Sequence, residues 1–544
     1  MEANERYEIW LANATDEKVL AALGEMSGDT SAIEDAFFKE LRFGTGGLRG
    51  KLGAGTNRMN VYTVGRATFG LADYILRGEN KSLAIAYDSR NMSAEFAGLV
   101  AKIMSFKGVE AYLFDSLMPT PVLSYAVRKL SLGAGVVVTA SHNPKEYNGY
   151  MVYNERGCQI TDSAAAEVTA CIENYGYFTE FYPDEKRIHL IGEEVLNSFL
   201  EDISAYSLPV DGKYYPKVVY TPLNGTGRLP IKKLFEKMGV DHTVVPEQEY
   251  PDGDFTTCPF PNPEEKEALS LAVALAEKTG ADLVVATDPD ADRMGIACIG
   301  KGGDVKLLSG NETGVLMENF ILSKKTEMGK MPENPYVVKT IVTTPLAAAV
   351  AESYGVKTKD VLTGFKYIGE TIDRCEGENY IFGMEESYGY LVGEHARDKD
   401  AVSAVMTLIE AYCYYAEKGL TLPEALEKTY EKYGYYSAAL VSEVFEGKSG
   451  MEYMSAFMEG LRKNPYNEVC GKKVTAFTDY GEGIDGLPKS NVLKFAGEGF
   501  SLIVRPSGTE PKIKFYLSAN ADTKTAADEN VEKMVRFVKE KLKK

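Results

Sequence analysis

Three aspartates alternate along segment 288–293, directly after the apolar run LVVAT (283–287). Carboxylate oxygens spaced so closely suit a hard divalent cation, and Mg²⁺ is the natural candidate for Asp288, Asp290 and Asp292. A calcium-binding EF-hand loop is excluded, because it needs Gly at its sixth position and Glu at its twelfth, where this chain has Arg293 and Ile299. The sequence therefore predicts a magnesium loop, with its arginine facing a phosphate.

A serine follows the apolar run GVVV (135–138) within the segment TASHNPKEYNGY (139–150). Ser141 stands at the expected end of a strand and precedes Asn143-Pro144, which favours a turn. Its hydroxyl should therefore lie in a crevice, as a nucleophile requires. The same residues are also compatible with a plain polar turn, so the interpretation depends on the other loops.

The segment GMEESYGYLVG (383–393) offers a carboxylate and a hydroxyl after the apolar run YIF. Glu385 and Ser387 are suited to hydrogen bonds with vicinal sugar hydroxyls. By itself this pattern is weak, since a polar turn would look the same.

The segment RPSGTEPK (505–512) follows the apolar run SLIV and concentrates groups that bind anions. Arg505 can fork onto phosphate oxygens, and Gly508 lets backbone N–H groups turn toward an anion. Ser507 and Thr509 add hydroxyl donors. We predict a site for a phosphate that is not transferred, in a turn between two strands.

All four loops follow strand-like segments, and ligands of open α/β sheets bind beyond the carboxyl ends of strands. Strand-like and helical segments alternate, which predicts an α/β fold of three tandem related domains with mixed, mostly parallel sheets and a C-terminal α+β domain. Near the start, Ser31 and Glu34 have the spacing of a capping box for a helical segment at 32–42. The expected domains are 1–207, 208–308, 309–435 and 436–544. They carry, in turn, the serine loop with Ser141, the metal loop with Asp288, the sugar loop with Glu385 and the phosphate loop with Arg505.

Composition limits the class of protein. Hydrophobic residues make up 44% and charged residues 26% of the chain, as in ordinary globular proteins, and the net charge of −19 opposes binding to nucleic acid. The seven cysteines form no Cys-x-x-Cys pair, which argues against a disulfide framework and a thiolate zinc site. The N-terminus does not resemble a signal peptide and the sequence contains no apolar run that could span a bilayer, so we expect a cytoplasmic protein without a membrane partner.

Along the chain the four loops follow in the order 139–150, 288–293, 383–393 and 505–512, and GTGGLRG (44–50) precedes them. Together these motifs resemble the α-D-phosphohexomutase superfamily. With TGFKYIG (363–369), the pattern is most similar to the longer phosphoglucomutase and phosphopentomutase branch. This resemblance implies four domains around a central cleft, with a mobile last domain, and a phosphoserine formed beside Mg²⁺.

The resemblance also implies residue roles, carried over by motif. Ser141 would be the phosphoserine, and one of its phosphoryl oxygens would complete the Mg²⁺ site of the three aspartates. The other implied catalytic residues are Arg49, His142, Lys366 and Arg293. The implied substrate-binding residues are Glu385, Ser387, Lys145, Gly364, Arg505, Ser507, Gly508 and Thr509.

The implied reaction interconverts glucose 1-phosphate and glucose 6-phosphate through glucose 1,6-bisphosphate, which also acts as activator. Alternatives that the sequence leaves open are a phosphopentomutase acting on ribose or deoxyribose 1-phosphate, a glucose 1,6-bisphosphate synthase, phosphomannomutase side activity and a catalytically weak protein that binds sugar phosphates. The expected partners are small sugar phosphates, and the protein is expected to be a monomer or a dimer.

One position departs from the family pattern. Similar proteins commonly carry a lysine, a candidate acid or base, where this chain has Met151. Proton transfer is therefore unassigned, with Lys145, His142 and Lys366 as possible substitutes.

Overall fold

A computed structural model of the chain describes residues 2–44, 46–300, 302–445, 447–484, 486–506 and 512–542, with backbone alone for 447–449. The chain forms two compact units. The first unit comprises Met1–Thr313 and Phe365–Gly419, and the second comprises Gly314–Gly364 and Leu420–Lys544. In the part of the chain that the structure describes, no helix has both the length and the apolar character needed to cross a bilayer.

The first unit begins with three helices around the buried Trp10, whose ring meets that of Phe37 edge to face. The capping box predicted at Ser31 is wrong. The Asp29 side chain accepts a hydrogen bond from the backbone N–H of Ala32, so the third helix starts earlier and also ends earlier than expected. The helices are α1 Ala3–Asn13, α2 Glu17–Glu25 and α3 Thr30–Phe37.

A six-stranded mixed sheet follows. Its elements are β1 Leu48–Lys51, α4 Val61–Arg77, β2 Ser82–Tyr87, α5 Ser93–Phe106, β3 Glu110–Phe114, α6 Thr120–Lys129, β4 Ala134–Val138, β5 Tyr147–Asn154, α7 Asp162–Ile172, β6 Ile188–Ile191 and α8 Glu193–Ser204.

The strand order of this sheet is β1-β5-β4-β2-β3-β6. Strands β2, β3, β4 and β6 run parallel, and β5 is antiparallel to β4 and to β1. Every residue of β4 is buried, as its continuous apolar sequence predicts for a central strand. Because Tyr87 of β2 pairs with Val138 of β4, both strands end at the same edge and deliver Asp88 and Thr139 side by side.

The elements that follow in the first unit are β7 Val218–Thr221, α9 Arg228–Met238, β8 His242–Val244, α10 Ser270–Thr279, β9 Leu283–Thr287, β10 Met294–Ile299 and β11 Val305–Leu308. Their five strands form a second sheet in the order β11-β10-β9-β7-β8. Strand β9 is fully buried, runs parallel to β7 and antiparallel to β10, and leads directly into Asp288.

The next elements are α11 Gly310–Glu327, β12 Pro335–Thr340, α12 Pro345–Ser353, β13 Lys357–Val361, α13 Phe365–Arg374, β14 Asn379–Glu385, β15 Gly389–Val392 and α14 Ala401–Glu417. In the first unit, β14 and β15 form an antiparallel hairpin that pairs Glu385 with Gly389. In the second unit, β12 and β13 pair in parallel.

The last elements of the second unit are α15 Leu422–Tyr433, β16 Tyr435–Val444, α16 Gly447–Lys463, β17 Glu468–Val469, β18 Lys472–Lys473, β19 Ala476–Asp479, β20 Leu493–Gly497, β21 Phe500–Pro506, β22 Lys512–Ala521 and α17 Lys524–Leu542. Five of these strands form an antiparallel sheet of order β16-β22-β21-β20-β19, against which α17 packs. Its core includes the buried Phe495 and Phe515. The mixed sheets and the β-rich C-terminal part agree with the predicted fold class.

Candidate active site

The serine loop, residues 139–147, connects β4 to β5 and carries Ser141. This serine has a φ of 51°, a left-handed conformation that costs an L-residue about 1 kcal/mol. Its N–H donates to Thr139 Oγ1 at 2.8 Å, and its hydroxyl donates to Asp288 Oδ2 at 2.8 Å. His142 Nδ1 lies 3.1 Å from the same hydroxyl. Burial, and to a smaller extent the positive charge of nearby arginines, holds the pKa of His142 well below its usual value.

The metal loop, residues 288–293, curls so that its three aspartates converge. Asp288 Oδ1 accepts the backbone N–H groups of Asp292 at 3.1 Å and Arg293 at 3.0 Å, and Ala291 takes a left-handed φ of 50°. One carboxylate oxygen from each aspartate thus lies within 4.8 Å of the others. The alternation seen in the sequence becomes a single buried cluster.

The free oxygen atoms of this cluster fit a divalent cation. Thr120 donates to one oxygen of Asp290 at 2.8 Å, but Asp290 Oδ1 and Asp292 Oδ1 are buried and accept no hydrogen bond from any described residue. Burial, reinforced by mutual repulsion, raises the pKa of Asp288 and raises that of Asp292 to about 6. Unpaired acceptors that repel one another are what a bound Mg²⁺ would satisfy.

Arg293 lies beside the metal loop and is fixed by two acceptors. Its Nη1 donates to Glu264 Oε1 at 2.7 Å and to the carbonyl of Ser387 at 3.1 Å. Its Nε lies 3.7 Å from Asp292 Oδ1. The guanidinium therefore joins the metal loop to the predicted sugar loop, and its contact with a phosphate stays a prediction.

Lys399 is a charged group that the sequence reasoning missed. Its Nζ lies 3.0 Å from Asp292 Oδ2 and 3.2 Å from Asp398 Oδ1. Although burial opposes the charge, Asp292, Asp398 and Glu385 together raise its pKa, so the ammonium stays protonated. It precedes α14 instead of following an apolar strand, and the four charged residues RDKD (397–400) were the available signal.

Glu385 is buried beside Lys399, at the end of β14. Burial raises the pKa of this carboxyl, while Lys399 and Arg293 oppose the rise. A Cβ on Gly389 would come within 2.3 Å of Lys399 Cδ and 3.0 Å of Glu385 Cγ. The absence of a side chain at Gly389 thus leaves room for Lys399 and Glu385 to lie on either side of this residue.

Arg49 projects from β1 next to the serine loop. Its Nη1 lies 3.5 Å from Asn143 Oδ1, and its Nη2 lies 3.6 Å from the sulfur of Met151 on β5. A thioether thus lies beside Arg49, at the position where the sequence resemblance led us to expect a lysine.

The two predicted lysines bind carboxylates other than those of the metal loop. Lys145 Nζ lies 3.3 Å from Asp254 Oδ1, and Lys366 Nζ lies 3.4 Å from Asp162 Oδ1 and over the ring of Tyr367. Their proposed roles toward substrate stay predictions.

The remaining predicted residues belong to the second unit or lie outside the described residues. Gly364 has a φ of 121° and Arg505 lies near the end of β21, both in the second unit. Ser507, Gly508 and Thr509 lie outside the described residues. The predicted phosphate loop is therefore described only at Arg505 and Pro506, and again from Lys512.

Three family models match the chain in succession. They describe the alpha/beta/alpha domains I, II and III of phosphoglucomutase/phosphomannomutase and match residues 40–177, 197–301 and 309–433. These matches confirm the three tandem α/β domains that the sequence predicted, without setting the boundaries between them.

Known proteins match over nearly the whole chain. A phosphoglucomutase from Staphylococcus haemolyticus is 37% identical over 528 residues, which cover 93% of this chain and 95% of the relative. Two solved structures share the fold: a phosphoglucomutase/phosphomannomutase family protein from Burkholderia thailandensis (TM-score 0.70, 18% identity, 91% and 96% covered) and the phosphoglucomutase pp63/parafusin from Paramecium in an open form (TM-score 0.68, 18% identity, 91% and 94% covered). On the family models and the long match at 37% identity, the chain belongs to the phosphoglucomutase/phosphomannomutase family of the α-D-phosphohexomutase superfamily.

Proposed function

We propose that this protein is a phosphoglucomutase, which interconverts glucose 1-phosphate and glucose 6-phosphate with Ser141 as the phosphoryl carrier. The observation that carries the proposal is the hydroxyl of Ser141, 2.8 Å from a carboxylate of the converged aspartates. A relative that is 37% identical and is named phosphoglucomutase supports glucose as the sugar.

Asp288, Asp290 and Asp292 would hold Mg²⁺ together with one oxygen of the phosphoserine. The buried atoms Asp290 Oδ1 and Asp292 Oδ1, which accept no hydrogen bond from the residues that the structure describes, support this assignment. When bound, the cation neutralises charge on the phosphoryl group, which is most of what phosphoryl transfer requires beyond positioning.

In the first half-reaction, the bond between Ser141 Oγ and phosphorus breaks while a bond forms from phosphorus to the 6-hydroxyl oxygen of glucose 1-phosphate. The product is glucose 1,6-bisphosphate; the proton of that hydroxyl passes to a protein base, and Ser141 Oγ takes up a proton as it leaves. The intermediate then turns around. In the second half-reaction, Ser141 Oγ gives up its proton and bonds to the phosphorus at the 1-position, the bond between that phosphorus and the 1-oxygen breaks, and the 1-oxygen regains a proton as glucose 6-phosphate leaves.

Fixed cations of the chain stabilise the transferring charge. Lys399 and Arg293 border the metal loop, and Arg49 borders the serine loop. Preorganised charges in a site that excludes water act more strongly than they would in solution. His142, Lys145 and Lys366 are the candidate bases that replace the lysine absent at Met151.

Glu385 and Ser387 would bind sugar hydroxyls, and Gly364, two residues before Lys366, is a further proposed substrate-binding residue. Arg505, with Ser507, Gly508 and Thr509, would hold the phosphate that is not transferred. Glucose 1,6-bisphosphate would serve as the activator that charges Ser141, and small sugar phosphates would be the ligands of the protein, as a monomer or a dimer. The cytoplasm is the compartment we propose, because the seven cysteines are odd in number and form no Cys-x-x-Cys pair, which argues against a disulfide framework.

Kinetics of Ser141→Ala test the proposal. With glucose 1,6-bisphosphate present, we expect turnover to fall by on the order of 10³-fold or more, as for loss of other catalytic nucleophiles. Ser105→Ala removes a buried serine hydroxyl on α5 and should leave turnover unchanged. Near wild-type turnover of Ser141→Ala would remove the serine from the mechanism. A higher kcat/KM for ribose or mannose 1-phosphate than for glucose 1-phosphate would replace the glucose assignment.

A further inference from the structure

Arg90 lies inside the serine loop, which folds around its guanidinium group. The side chain of Arg90 is fully buried, with none of its surface exposed. Both terminal nitrogens donate to carbonyl groups of the loop. Nη2 donates to Ser141 and Asn143, and Nη1 donates to Pro144 at 2.9 Å and Tyr147 at 3.3 Å.

Asp88 ties Arg90 to the start of the same loop. Its Oδ2 lies 3.2 Å from Arg90 Nε and accepts the hydroxyl of Thr139 at 2.7 Å. The Thr139 hydroxyl oxygen in turn accepts the N–H of Ser141 at 2.8 Å. The backbone of the serine is thus held on both sides, its N–H through Thr139 and Asp88 and its carbonyl by Arg90.

Phe255 covers one face of the guanidinium. The Cζ atom of Arg90 stands 5.0 Å from the centroid of the ring, and Phe255 is completely buried. This phenylalanine lies in the segment between β8 and α10, two elements of the α/β region that carries the metal loop. A cation over an aromatic face is attracted by the ring quadrupole, most strongly when both are desolvated. The contact therefore connects the serine loop to the part of the chain that supplies the aspartates.

The conformation of Ser141 gives these contacts a consequence for chemistry. A left-handed φ of 51° persists in a non-glycine residue only where the surroundings hold it. In this conformation the hydroxyl points at Asp288. If the loop relaxes, the same hydroxyl leaves the metal loop even though every group of the reaction is still present.

We propose that Arg90 is a positioning residue for phosphoryl transfer, which holds Ser141 at the metal loop by binding four carbonyl groups of the serine loop. The inference rests on the proposed role of Ser141 as phosphoryl carrier. Arg90 acts through the loop, so its loss lowers the rate of charging and transfer and leaves sugar-phosphate affinity nearly unchanged. Lysine at this position keeps the positive charge but lacks the planar fork that reaches several acceptors at once.

Arg66 on α4 is a matched control. It donates through Nε to the carbonyl of Tyr175 at 2.8 Å, pairs with Glu40 at 2.7 Å, and stands 4.7 Å from the ring centroid of Tyr177. It therefore combines a carbonyl, a carboxylate and an aromatic face as Arg90 does, on an element that does not touch Ser141. Loss of stability alone should affect the two positions alike.

The experiment compares Arg90→Lys, Arg66→Lys and the wild type with Mg²⁺ present. Melting temperature, kcat and KM are measured, together with the rate at which glucose 1,6-bisphosphate phosphorylates Ser141, followed by mass spectrometry. We expect Arg90→Lys to lower kcat and the charging rate by about 100-fold with KM within about twofold, as for a displacement of about 1 Å at a reacting group. Arg66→Lys should have a lower melting temperature than the wild type and the same kcat.

Equal kcat values for the two lysine variants would overturn the inference. If Arg90→Lys does not fold, the Phe255→Leu variant is used instead, because it removes only the aromatic face over the guanidinium group. A charging rate several-fold slower than that of the wild type would support the inference, and a wild-type rate would overturn it. A wild-type protein that takes no phosphoryl group on Ser141 would overturn the proposed function and this inference together. A wild-type protein that is charged normally, beside an Arg90→Lys variant charged at the same rate, would overturn this inference alone.

Discussion

Replacing Asp290 by Asn should stabilise the protein without metal and weaken its response to Mg²⁺. In the structure, one oxygen from each of the three aspartates lies within 4.8 Å of the others. At an effective dielectric constant of 20, two unit charges 4.8 Å apart repel each other by about 3.5 kcal/mol. Lys399 and Arg293 offset part of this repulsion, so we expect a net gain of about 1–2 kcal/mol for the metal-free variant.

The asparagine can keep the existing contact of residue 290, because its carbonyl oxygen can still accept the hydroxyl of Thr120. The amide nitrogen would replace the oxygen that accepts no hydrogen bond from the described residues, and its N–H groups could donate to a neighbouring carboxylate of the cluster. The cost appears only with the cation, which loses one of its charged ligands.

Thermal unfolding in EDTA and across an Mg²⁺ titration measures both effects. A ligand at 100 times its Kd stabilises the folded state by about 2.7 kcal/mol, so the wild type should gain melting temperature with Mg²⁺ and the variant much less. The order of the two proteins should therefore reverse, with the variant higher by a few degrees in EDTA and the wild type higher in Mg²⁺.

Asp373→Asn is the control for this experiment, because it breaks a 2.7 Å ion pair with Arg397 away from the aspartate cluster. It should lower the melting temperature equally with and without Mg²⁺. An Asp290→Asn protein that is less stable than the wild type in EDTA, or that gains as much from Mg²⁺, would refute the reasoning.

Three further variants follow from individual side chains. Lys399→Met removes a fixed cation 3.0 Å from Asp292, and steady-state kinetics should show kcat lower by about 100-fold. Burial raises the pKa of Glu410 to about 7, from 4.5 for an ordinary glutamate, so the folded state favours the protonated acid. The stability that this acid contributes to the folded protein is therefore complete below pH 4.5 and is lost as the pH rises through 7. The melting temperature of Glu410→Gln should therefore fall less than that of the wild type between pH 4.5 and 7. Above pH 7 the variant should be more stable than the wild type, by up to about 3 kcal/mol. Met151→Lys restores an acid or base beside Arg49, so we expect a higher kcat in the same assay.

Each variant has an outcome that contradicts its reasoning. Unchanged turnover of Lys399→Met would mean that this ammonium stabilises the fold and not the reaction. Parallel pH profiles for the wild type and Glu410→Gln would show that this acid is not protonated in the folded protein. A kcat of Met151→Lys no higher than that of the wild type at any pH would show that proton transfer does not limit turnover.

The strands that position the site could be predicted because their sequences leave little choice. The runs LVVAT and GVVV are apolar without alternation, as expected for strands covered on both faces, and both are fully buried. Polar residues directly after such runs must lie at the edge of a sheet. The serine and metal loops could therefore be placed from sequence, whereas the start of α3 could not, because Asp29 and Ser31 are both good capping residues and only the packed helix selects between them.

The contacts between loops could not be derived in this way. Ser141 and Asp288 lie in loops that follow strands of different sheets, and their hydrogen bond joins positions 147 residues apart. Residue spacing carries no information about such a contact, and only the resemblance to a family linked the two loops. Lys399 and Arg90 were missed for a related reason, since each is a charged residue before a helix and its importance lies in groups it meets from distant segments.

Phosphorylation of Ser141 is tested most directly by the mass of the intact protein before and after incubation with glucose 1,6-bisphosphate and Mg²⁺. We predict the addition of one phosphoryl group, located by peptide mapping at Ser141 and missing from Ser141→Ala. A wild-type mass that does not change, or a phosphoryl group found on another residue, would contradict the proposal that this hydroxyl carries the phosphate beside the three aspartates.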